Sequence, residues 1–187
     1  MTMRVVPLDI PGLVVVEPQV FGDARGFFLE TYHRARYAAA GLAAAFVQDN
    51  LSSSRCGVLR GLHFQHPNDQ AKLVTVLEGE VFDVAVDIRV GSPCFGKHVA
   101  VTLSGENKRQ LFIPSGFAHG FCVVSETALF TYKVDAFWTP DCEGGIAYDD
   151  PDIGIAWPTR EPLLSDKDRG FARLRDVDPA RLPKYEK

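Results

Sequence analysis

Residues 81–88 read Val81-Phe82-Asp83-Val84-Ala85-Val86-Asp87-Ile88, and this stretch decides the fold class. Successive side chains of a β-strand point to opposite faces of a sheet, so every second residue of the run shares a face. One face is wholly apolar and consists of Phe82, Val84, Val86 and Ile88. The other face consists of Val81, Asp83, Ala85 and Asp87. The pattern therefore predicts a strand with one apolar face and one face that carries two carboxylates.

Short runs of strand-forming residues extend in both directions from this strand. Residues 12–32 are predicted to form a strand, a turn at 22–26 and a second strand, because 14–20 is rich in β-branched residues. Further strands, each bounded by Gly, Pro, Asn or Ser, are predicted over 98–103, 110–113, 120–124, 128–134 and 145–148. Short helices are predicted over about 33–40 and within 163–168. Short strands at this spacing are typical of a β-sandwich or jelly roll.

Length and composition predict one domain without a nucleic-acid partner. The 187 residues are 46% hydrophobic and contain neither an internal repeat nor a linker, so we expect a single domain over residues 1–187. From about residue 159 the pattern becomes charged and irregular. The net charge of -4 and the pI near 5.7 lack the basic footprint of a nucleic-acid-binding protein.

The beginning of the chain shows no targeting or membrane segment. Residues 1–16 contain no basic region followed by a long apolar run, and the apolar stretch 13–16 is far too short to span a bilayer. We therefore expect a cytoplasmic protein with no membrane partner. The four cysteines form no C-x-x-C pair and are expected to be reduced, packed thiols.

Two spaced motifs resemble those of the cupins. The spacing Gly57-x5-His63-x-Gln65-x6-Lys72-x6-Gly79 resembles the first cupin motif, with a slightly longer gap before Lys72, and Pro114-x-Gly116-x2-His119 resembles part of the second. In metal-binding cupins the four ligand positions hold three histidines and a glutamate, whereas here they hold His63, Gln65, Lys72 and His119. The resemblance implies an all-β cupin jelly-roll barrel or sandwich with a few short helices.

The same four positions argue against a bound metal. A neutral amide and an ammonium replace two of the ligands, and a cation beside a divalent metal ion is electrostatically unfavourable. His66 and His33 would restore the ligand number only in a rearranged site. We therefore expect neither a metal nor another cofactor.

The remaining groups suit proton transfer next to a carbonyl group. Such chemistry needs a base, a stabiliser of the enolate oxygen and, for inversion, an acid on the opposite face. His63 suits the base, because imidazole titrates near neutrality and a carboxylate partner would fix its tautomer. Lys72 suits the enolate oxygen, and the phenol of Tyr132, on a strand that should line the same cavity, could return a proton from the other side.

Each of these residues also has a purely structural interpretation. A histidine or tyrosine in a β-rich protein is commonly a hydrogen-bonded packing residue. Lys72 could instead form an ion pair with Asp83. Arg25 and Arg60 could be surface arginines, although two guanidinium groups near one cavity would suit a diphosphate.

Six blocks of sequence, in order and covering nearly the whole chain, resemble the dTDP-4-dehydrorhamnose 3,5-epimerase family. They are FGDARGFFLE at 21–30, VQDN at 47–50, GVLRGLHFQ at 57–65, VFDVAVDIR at 81–89, IPSGFAHGF at 113–121 and LSDKD at 164–168. The resemblance implies inversion of both C3 and C5 of dTDP-4-dehydro-6-deoxy-D-glucose to give dTDP-4-dehydro-L-rhamnose. The C4 ketone acidifies the hydrogens on both neighbouring carbons. Family members use no cofactor or metal and are typically homodimers, so both properties are expected here.

The resemblance also implies a role for individual residues. His63 is implied to be the general base, paired with Asp168; Tyr132 is implied to be the general acid, and Lys72 to face the C4 oxygen. Substrate contacts are implied for Arg25, Glu30, Gln48, Asn50, Arg60, His119, Glu143 and Lys167.

Two positions depart from the family pattern and leave alternatives open. Tryptophan stands at position 138, where the second aromatic is commonly tyrosine, and Cys94 stands where threonine is usual. Trp138 is expected to stack on the thymine or shape the sugar pocket, or else to be a packing residue. If it alters the position of the sugar, epimerisation could stop after C3 only or C5 only.

Two other function classes are weighed against an epimerase. A cupin sugar-nucleotide ketoisomerase would also use histidine without metal, but Tyr132 and the Arg60-Gly61-Leu62-His63 context fit it less well. A non-catalytic sugar-nucleotide-binding module is disfavoured because the full proton-transfer set is intact. That set is His63, Lys72, Tyr132 and Asp168.

Overall fold

The computed structural model describes residues 2–185, which form thirteen strands, two short α-helices and three 3-10 turns. The strands are β1 Met3–Pro7, β2 Val14–Pro18, β3 Val20–Asp23, β4 Gly26–Leu29, β5 Gln48–Arg55, β6 Leu59–Gln65, β7 Lys72–Glu78, β8 Glu80–Asp87, β9 His98–Ser104, β10 Gln110–Ile113, β11 Phe117–Val123, β12 Thr127–Val134 and β13 Glu143–Gly145. The helices are α1 Arg34–Ala39 and α2 Asp166–Arg169, and the 3-10 turns are Pro140–Cys142, Leu174–Asp176 and Pro179–Arg181.

The strands form two antiparallel sheets and a separate hairpin. The six-stranded sheet has the order β1-β2-β10-β7-β12-β5, the five-stranded sheet has the order β13-β6-β11-β8-β9, and β3 pairs with β4 alone. Apart from the β1–β2 and β8–β9 pairs, neighbours in both sheets are distant in sequence, as in a jelly roll. The prediction of an all-β jelly roll with a few short helices is confirmed.

The strand at 81–88 separates two apolar layers, as its alternation predicts. On one face, Val81 and Ala85 pack between the two sheets with residues such as Leu111 and Phe130. On the other face, Val84 and its apolar neighbours on β8 pack under the C-terminal part of the chain, with Ile146, Ile153, Leu174 and Leu182. The segment from about residue 159, which was expected to be irregular, therefore contributes Leu174 and Leu182 to an apolar cover of the five-stranded sheet.

A third apolar cluster covers the outside of the six-stranded sheet. Leu73 and Phe112 of this sheet pack against Tyr37 of α1 and Leu42 of the loop that follows it. The helix begins after His33, whose ring nitrogen accepts from the backbone N–H of Arg36. This placement agrees with the predicted helix over 33–40.

Some strand boundaries differ from the prediction. The run 14–20 is divided between β2 and β3, since β2 ends at Pro18 and β3 begins at Val20 in a different sheet. The last strand lies at Glu143–Gly145 instead of 145–148. Pairing with β6 does not continue to residue 148, because the N–H of Ala147 donates to the carbonyl oxygen of Ala172. Strands β1, β5, β6 and β7 were not predicted.

Two further expectations concern membranes and thiols. Within residues 2–185 no helix has the length and apolar character that crossing a bilayer requires. All four cysteines are free thiols, and burial raises the pKa of Cys122 to about 11.

Candidate active site

Strands β6 and β11 lie unusually close together at the centre of the five-stranded sheet. Gly61 has φ of 142°, and a Cβ atom at this position would lie 2.6 Å from Gly120 Cα, so only glycine allows the approach. The register of the two strands shifts between His119 and Phe121, and His63 lies directly opposite His119. The two histidines of the cupin-like motifs therefore lie opposite each other on two closely spaced strands.

His63 is bound to a carboxylate from the far end of the chain. Its Nε2 lies 2.8 Å from Oδ1 of Asp168, a buried residue of α2. The side chain of Ser165 caps this helix by accepting from the N–H of Asp168, and Gly61 N–H donates to Oδ2 at 3.5 Å. Burial alone would raise the pKa of Asp168, but the hydrogen bonds from His63 and Gly61 hold this pKa below its ordinary value. The carboxylate is therefore charged when it holds the ring.

One ring nitrogen of His63 remains for chemistry. Asp168 occupies Nε2, and among residues 2–185 no hydrogen-bond partner of Nδ1 is found. The side chain is 32% exposed and borders a cleft of about 390 Å³ that Arg60 and Lys167 also line. The ring of Phe171 packs edge-on against the imidazole, with 5.7 Å between centroids. The site thus holds an imidazole that Asp168 orients and that the cleft leaves partly exposed.

A second histidine–carboxylate pair lies deeper between the sheets. His119 Nε2 lies 2.9 and 3.0 Å from the two oxygens of Asp83, which is fully buried. The imidazole stacks on Phe130, with 6.2 Å between ring centroids. The carboxylate considered as an ion-pair partner of Lys72 is therefore bound to His119 instead.

Lys72 is buried, and residues 2–185 provide no ion-pair partner for it. The residue is 8% exposed, and in the described part of the chain no salt bridge to its ammonium group is found, while Asp83 and Glu143 are bound to other side chains. Burial lowers the pKa of Lys72 from 10.5 to about 8, although the charges of Asp83 and Glu143 act in the opposite direction. Its N–H groups are thus left for an acceptor that is not part of the described chain.

Tyr132 lies on β12, opposite Asn50 of β5 and Val74 of β7. Its ring is half-buried and packs against the interior cluster next to Phe130. Burial and the charge of Glu143 raise the pKa of the Tyr132 phenol, and the Arg60 guanidinium acts in the opposite direction. The phenol is therefore neutral over the physiological pH range and can donate a proton.

Other predicted contact residues lie around this interior. Lys167 Nζ lies 2.5 Å from Glu143 Oε2, which links α2 to β13. Gln48 Nε2 donates to Asn50 Oδ1 at 2.9 Å, and Gln48 Oε1 accepts from the N–H of Trp138 at 3.1 Å. Arg60 donates to Ser54 Oγ at 3.1 Å. The Arg60–Ser54 bond connects β6 of the five-stranded sheet to β5 at the edge of the six-stranded sheet.

Arg25 and Glu30 are not joined to this group. Arg25 lies at the tip of the β3–β4 hairpin, is 89% exposed and binds Asp23. Glu30 forms an ion pair with Arg36 next to α1. The hairpin pairs with neither sheet and exposes four apolar side chains, Val20, Phe21, Phe27 and Phe28. Among residues 2–185 of one chain, neither residue bonds to the other predicted site residues.

The sequence interpretation missed several partners in the site. Phe171 and Ser54 were not singled out, and Gln65 was noted only as a replaced metal ligand. No local pattern identifies such partners, since each contact joins residues on different elements. Within residues 2–185, no group of three or more His, Cys, Asp or Glu side chains is arranged to hold a metal ion.

Comparison with known proteins identifies the family. A family model described as dTDP-4-dehydrorhamnose 3,5-epimerase matches residues 7–176. The chain belongs to this family. The resemblance noted from the sequence blocks is therefore confirmed.

Individual members of the epimerase family are similar over almost their full length. The dTDP-4-dehydrorhamnose 3,5-epimerase of Shigella flexneri is 54% identical over 178 residues, which cover 94% of this chain and 98% of that protein. The crystal structure of dTDP-6-deoxy-D-glucose-3,5-epimerase from Legionella pneumophila, in complex with dTDP-4-keto-L-rhamnose, matches with a TM-score of 0.97 at 50% identity and covers 100% of both chains. A dTDP-4-dehydrorhamnose 3-epimerase of Streptomyces niveus is 41% identical over 186 residues, which cover 98% of this chain and 90% of that protein.

Proposed function

We propose that this protein epimerises dTDP-4-dehydro-6-deoxy-D-glucose at C3 and C5 to dTDP-4-dehydro-L-rhamnose. The proposal is carried by an oriented His63–Asp168 pair together with a buried ammonium, Lys72, for which residues 2–185 provide no ion-pair partner. The family relationship supports it, because relatives of nearly the same length are named 3,5-epimerases. The reaction needs no metal or cofactor, since Gln65 and Lys72 replace two metal ligands.

His63 acts as the general base in this proposal. Its Nδ1 takes the proton from a carbon next to the C4 ketone, and the electron pair of the C–H bond forms the enolate. Asp168 keeps the other nitrogen protonated and stabilises the imidazolium that forms. Lys72 donates to the C4 oxygen as the enolate develops. The same groups then act at the second carbon after the sugar shifts.

Tyr132 acts as the general acid on the opposite face of the enolate. Its phenol keeps its proton because burial and Glu143 raise its pKa. The remaining predicted residues bind the substrate. Arg60 and Lys167, which line the cleft beside His63, suit the diphosphate, and His119, Glu143, Gln48, Asn50 and Trp138 contact the sugar and base.

A Tyr132→Phe variant is expected to lose inversion while it keeps part of the proton exchange. Removal of the hydroxyl leaves the base intact but takes away the proton donor of the opposite face, so product formation should fall by about a hundredfold. Deuterium uptake into unreacted substrate and formation of dTDP-4-dehydro-L-rhamnose are followed separately by NMR. Tyr32→Phe, on a ring packed beside α1, is the matched control and should behave like the wild type. Unchanged inversion by Tyr132→Phe would contradict the assigned acid.

The functional unit is proposed to be a cytoplasmic homodimer of one-domain chains. The exposed apolar hairpin, and the pairing of Arg25 and Glu30 with Asp23 and Arg36, support a dimer in which Arg25 and Glu30 complete the partner's site. Burial of Phe21, Phe27 and Phe28 would supply the apolar contact that such an interface needs. Light scattering of the purified protein tests the dimer.

The reaction is tested by proton NMR of dTDP-4-dehydro-6-deoxy-D-glucose with chelator-treated enzyme in deuterium oxide. The C3 and C5 signals are followed separately, and a rhamnose-forming reductase is added afterwards. Loss of both signals and reduction to dTDP-L-rhamnose are the expected results. No exchange at either carbon would overturn the proposal.

A mono-epimerase is the second candidate. The similarity to a 3-epimerase and the tryptophan at position 138 favour it, because a changed aromatic next to the sugar could prevent the second inversion. Exchange and inversion at one carbon alone, in the same NMR experiment, would select this function.

A further inference from the structure

The loop formed by residues 135–139 crosses from one sheet to the other beside the proposed site. It follows β12 of the six-stranded sheet and leads through the Pro140–Cys142 turn to β13 of the five-stranded sheet. Its two aromatic side chains are largely exposed, Phe137 at 66% and Trp138 at 54%. An exposed aromatic ring offers a large contact area to a ligand. Ordering a mobile loop on binding costs free energy, so the ring binds more tightly when the loop backbone is already held.

The side chain of Gln65 holds the backbone on both sides of Trp138. Its Oε1 accepts from the N–H of Thr139 at 2.8 Å, and its Nε2 donates to the carbonyl oxygen of Phe137 at 3.2 Å. The second N–H of the amide donates to the carbonyl oxygen of Asn68 at 2.5 Å. Both ends of the amide are therefore used, and two of its three bonds flank Trp138.

Gln65 is the buried member of the group of side chains that hold this loop. It is 5% exposed, whereas Asn68, which also donates to Phe137 O, is exposed, and Gln48 and Gln70 are half-buried. When a buried hydrogen bond is lost, water does not replace the missing partner. The loss therefore costs more free energy than the loss of an exposed hydrogen bond. The amide of Gln65 is thus the strongest single attachment of the loop.

Gln65 also connects the loop to the strand that carries the proposed base. It lies two residues after His63 on β6, on the same interior face, and opposite Glu143 of β13. At this position metal-binding cupins hold a ligand, as the motif comparison indicates. Here the residue at this position binds the backbone of Phe137 and Thr139 through its side-chain amide.

We propose that Gln65 is a positioning residue that fixes residues 137–139 so that Trp138 is presented to the nucleotide part of the substrate. The inference rests on the proposed function and concerns the same site. It assigns to Gln65 no contact with the reacting carbons. Its loss therefore weakens nucleotide binding more than it slows proton transfer.

The test compares Gln65→Leu with the wild type, alone and combined with Trp138→Ala. Leucine has a similar size but no amide, so the loop loses two hydrogen bonds and the carbonyl oxygen of Asn68 loses one. Calorimetry with dTDP gives the dissociation constant, and NMR exchange gives kcat and KM for the nucleotide sugar. We expect the dissociation constant and KM to rise about tenfold and kcat to change less than about threefold.

The double variant separates positioning of Trp138 from general destabilisation. If Gln65 acts through Trp138, Gln65→Leu has no further effect on dTDP binding once Trp138 is alanine. An equal effect in both backgrounds would overturn the proposal. Gln70→Leu is the matched control, because it removes an amide that holds the same loop only at Ala136, and its dTDP affinity should stay near that of the wild type.

Hydrogen exchange of the loop backbone gives a readout that needs no ligand. The peptide that contains Thr139 should lose protection in Gln65→Leu and keep part of it in Gln65→Glu, which retains the acceptor for the Thr139 N–H. Unchanged protection in Gln65→Leu would overturn the proposed attachment. Wild-type protein that shows this protection but does not exchange substrate protons would contradict the proposed reaction and not the attachment. Gln65→Glu also provides a second variant if the leucine variant does not fold.

Discussion

A His63→Asn variant is expected to lose proton exchange at both C3 and C5 by about a hundredfold to ten-thousandfold. Asparagine keeps a polar side chain that can still donate to Asp168, but it has no nitrogen that takes up a proton near neutral pH. Both exchanges depend on the same base in the proposed mechanism, so they should disappear together. Deuterium uptake by NMR, with the two carbons followed separately, measures the effect.

The matched control for this variant is His66→Asn. His66 also holds a carboxylate, with Nδ1 2.9 Å from Asp69 Oδ2, but it borders a different cleft. It should therefore show near-normal exchange after the same substitution. Circular dichroism and dTDP binding should show that His63→Asn remains folded and still binds the nucleotide. Near-normal turnover by His63→Asn would contradict its role as the base.

A Lys72→Met variant is expected to lose a factor of about a hundred to a thousand in kcat. Methionine fills a similar volume without an ammonium group, so in the proposed mechanism the developing enolate at the C4 oxygen loses its hydrogen-bond donor. In the wild type, activity should also fall as pH rises through about 8, where the buried Lys72 ammonium loses its proton because burial lowers its pKa. Initial rates of NMR exchange over a pH series test both statements.

The same substitution is expected to make the protein more stable. The pKa of Lys72 is about 8 in the folded chain and 10.5 for an ordinary lysine, so between these pH values the unfolded chain binds more protons. The free energy of unfolding of the wild type should therefore rise from pH 8 to 10.5, by on the order of 3 kcal/mol. Below pH 8 the buried Lys72 side chain is charged, and the free-energy cost of burying that charge is fully present. The free energy of unfolding of Lys72→Met should therefore exceed that of the wild type by a similar order of magnitude.

Urea unfolding at several pH values measures this stability difference. Lys97→Met, which changes an exposed lysine, is the control and should alter neither the stability nor the exchange rate appreciably. A Lys72→Met variant that is less stable than the wild type at neutral pH, or that keeps its exchange rate, would contradict the proposed state and role of the ammonium.

Local pattern predicted β8 and most of the strands that follow it, but it did not predict β5. β8 follows from the alternation of apolar and acidic residues over 81–88. β5 carries mostly polar residues, and it is a strand because its backbone pairs with β12 at the edge of the six-stranded sheet. Hydrophobic periodicity does not register such an edge strand.

Chemical groups were predictable from the sequence, whereas their partners were not. Asp168 was expected beside His63 only through the family resemblance, because 105 residues separate the two. Asp83 was considered for Lys72 but binds His119, which lies on the neighbouring strand β11. The partner of a side chain depends on strand register and on which elements meet, and neither follows from local sequence.

The sequence by itself determined the all-β class, the absence of two metal ligands from the cupin-like motif and the identity of the groups that can transfer protons. These properties follow from side-chain alternation and from the chemistry of single residues. Only the tertiary structure decided that Lys72 is buried with no ion-pair partner in the described part of the chain, that Gln65 holds the loop of Trp138, and that Arg25 lies on an exposed hairpin. Burial and pairing arise when distant segments come together, so their energies are set by the folded contacts.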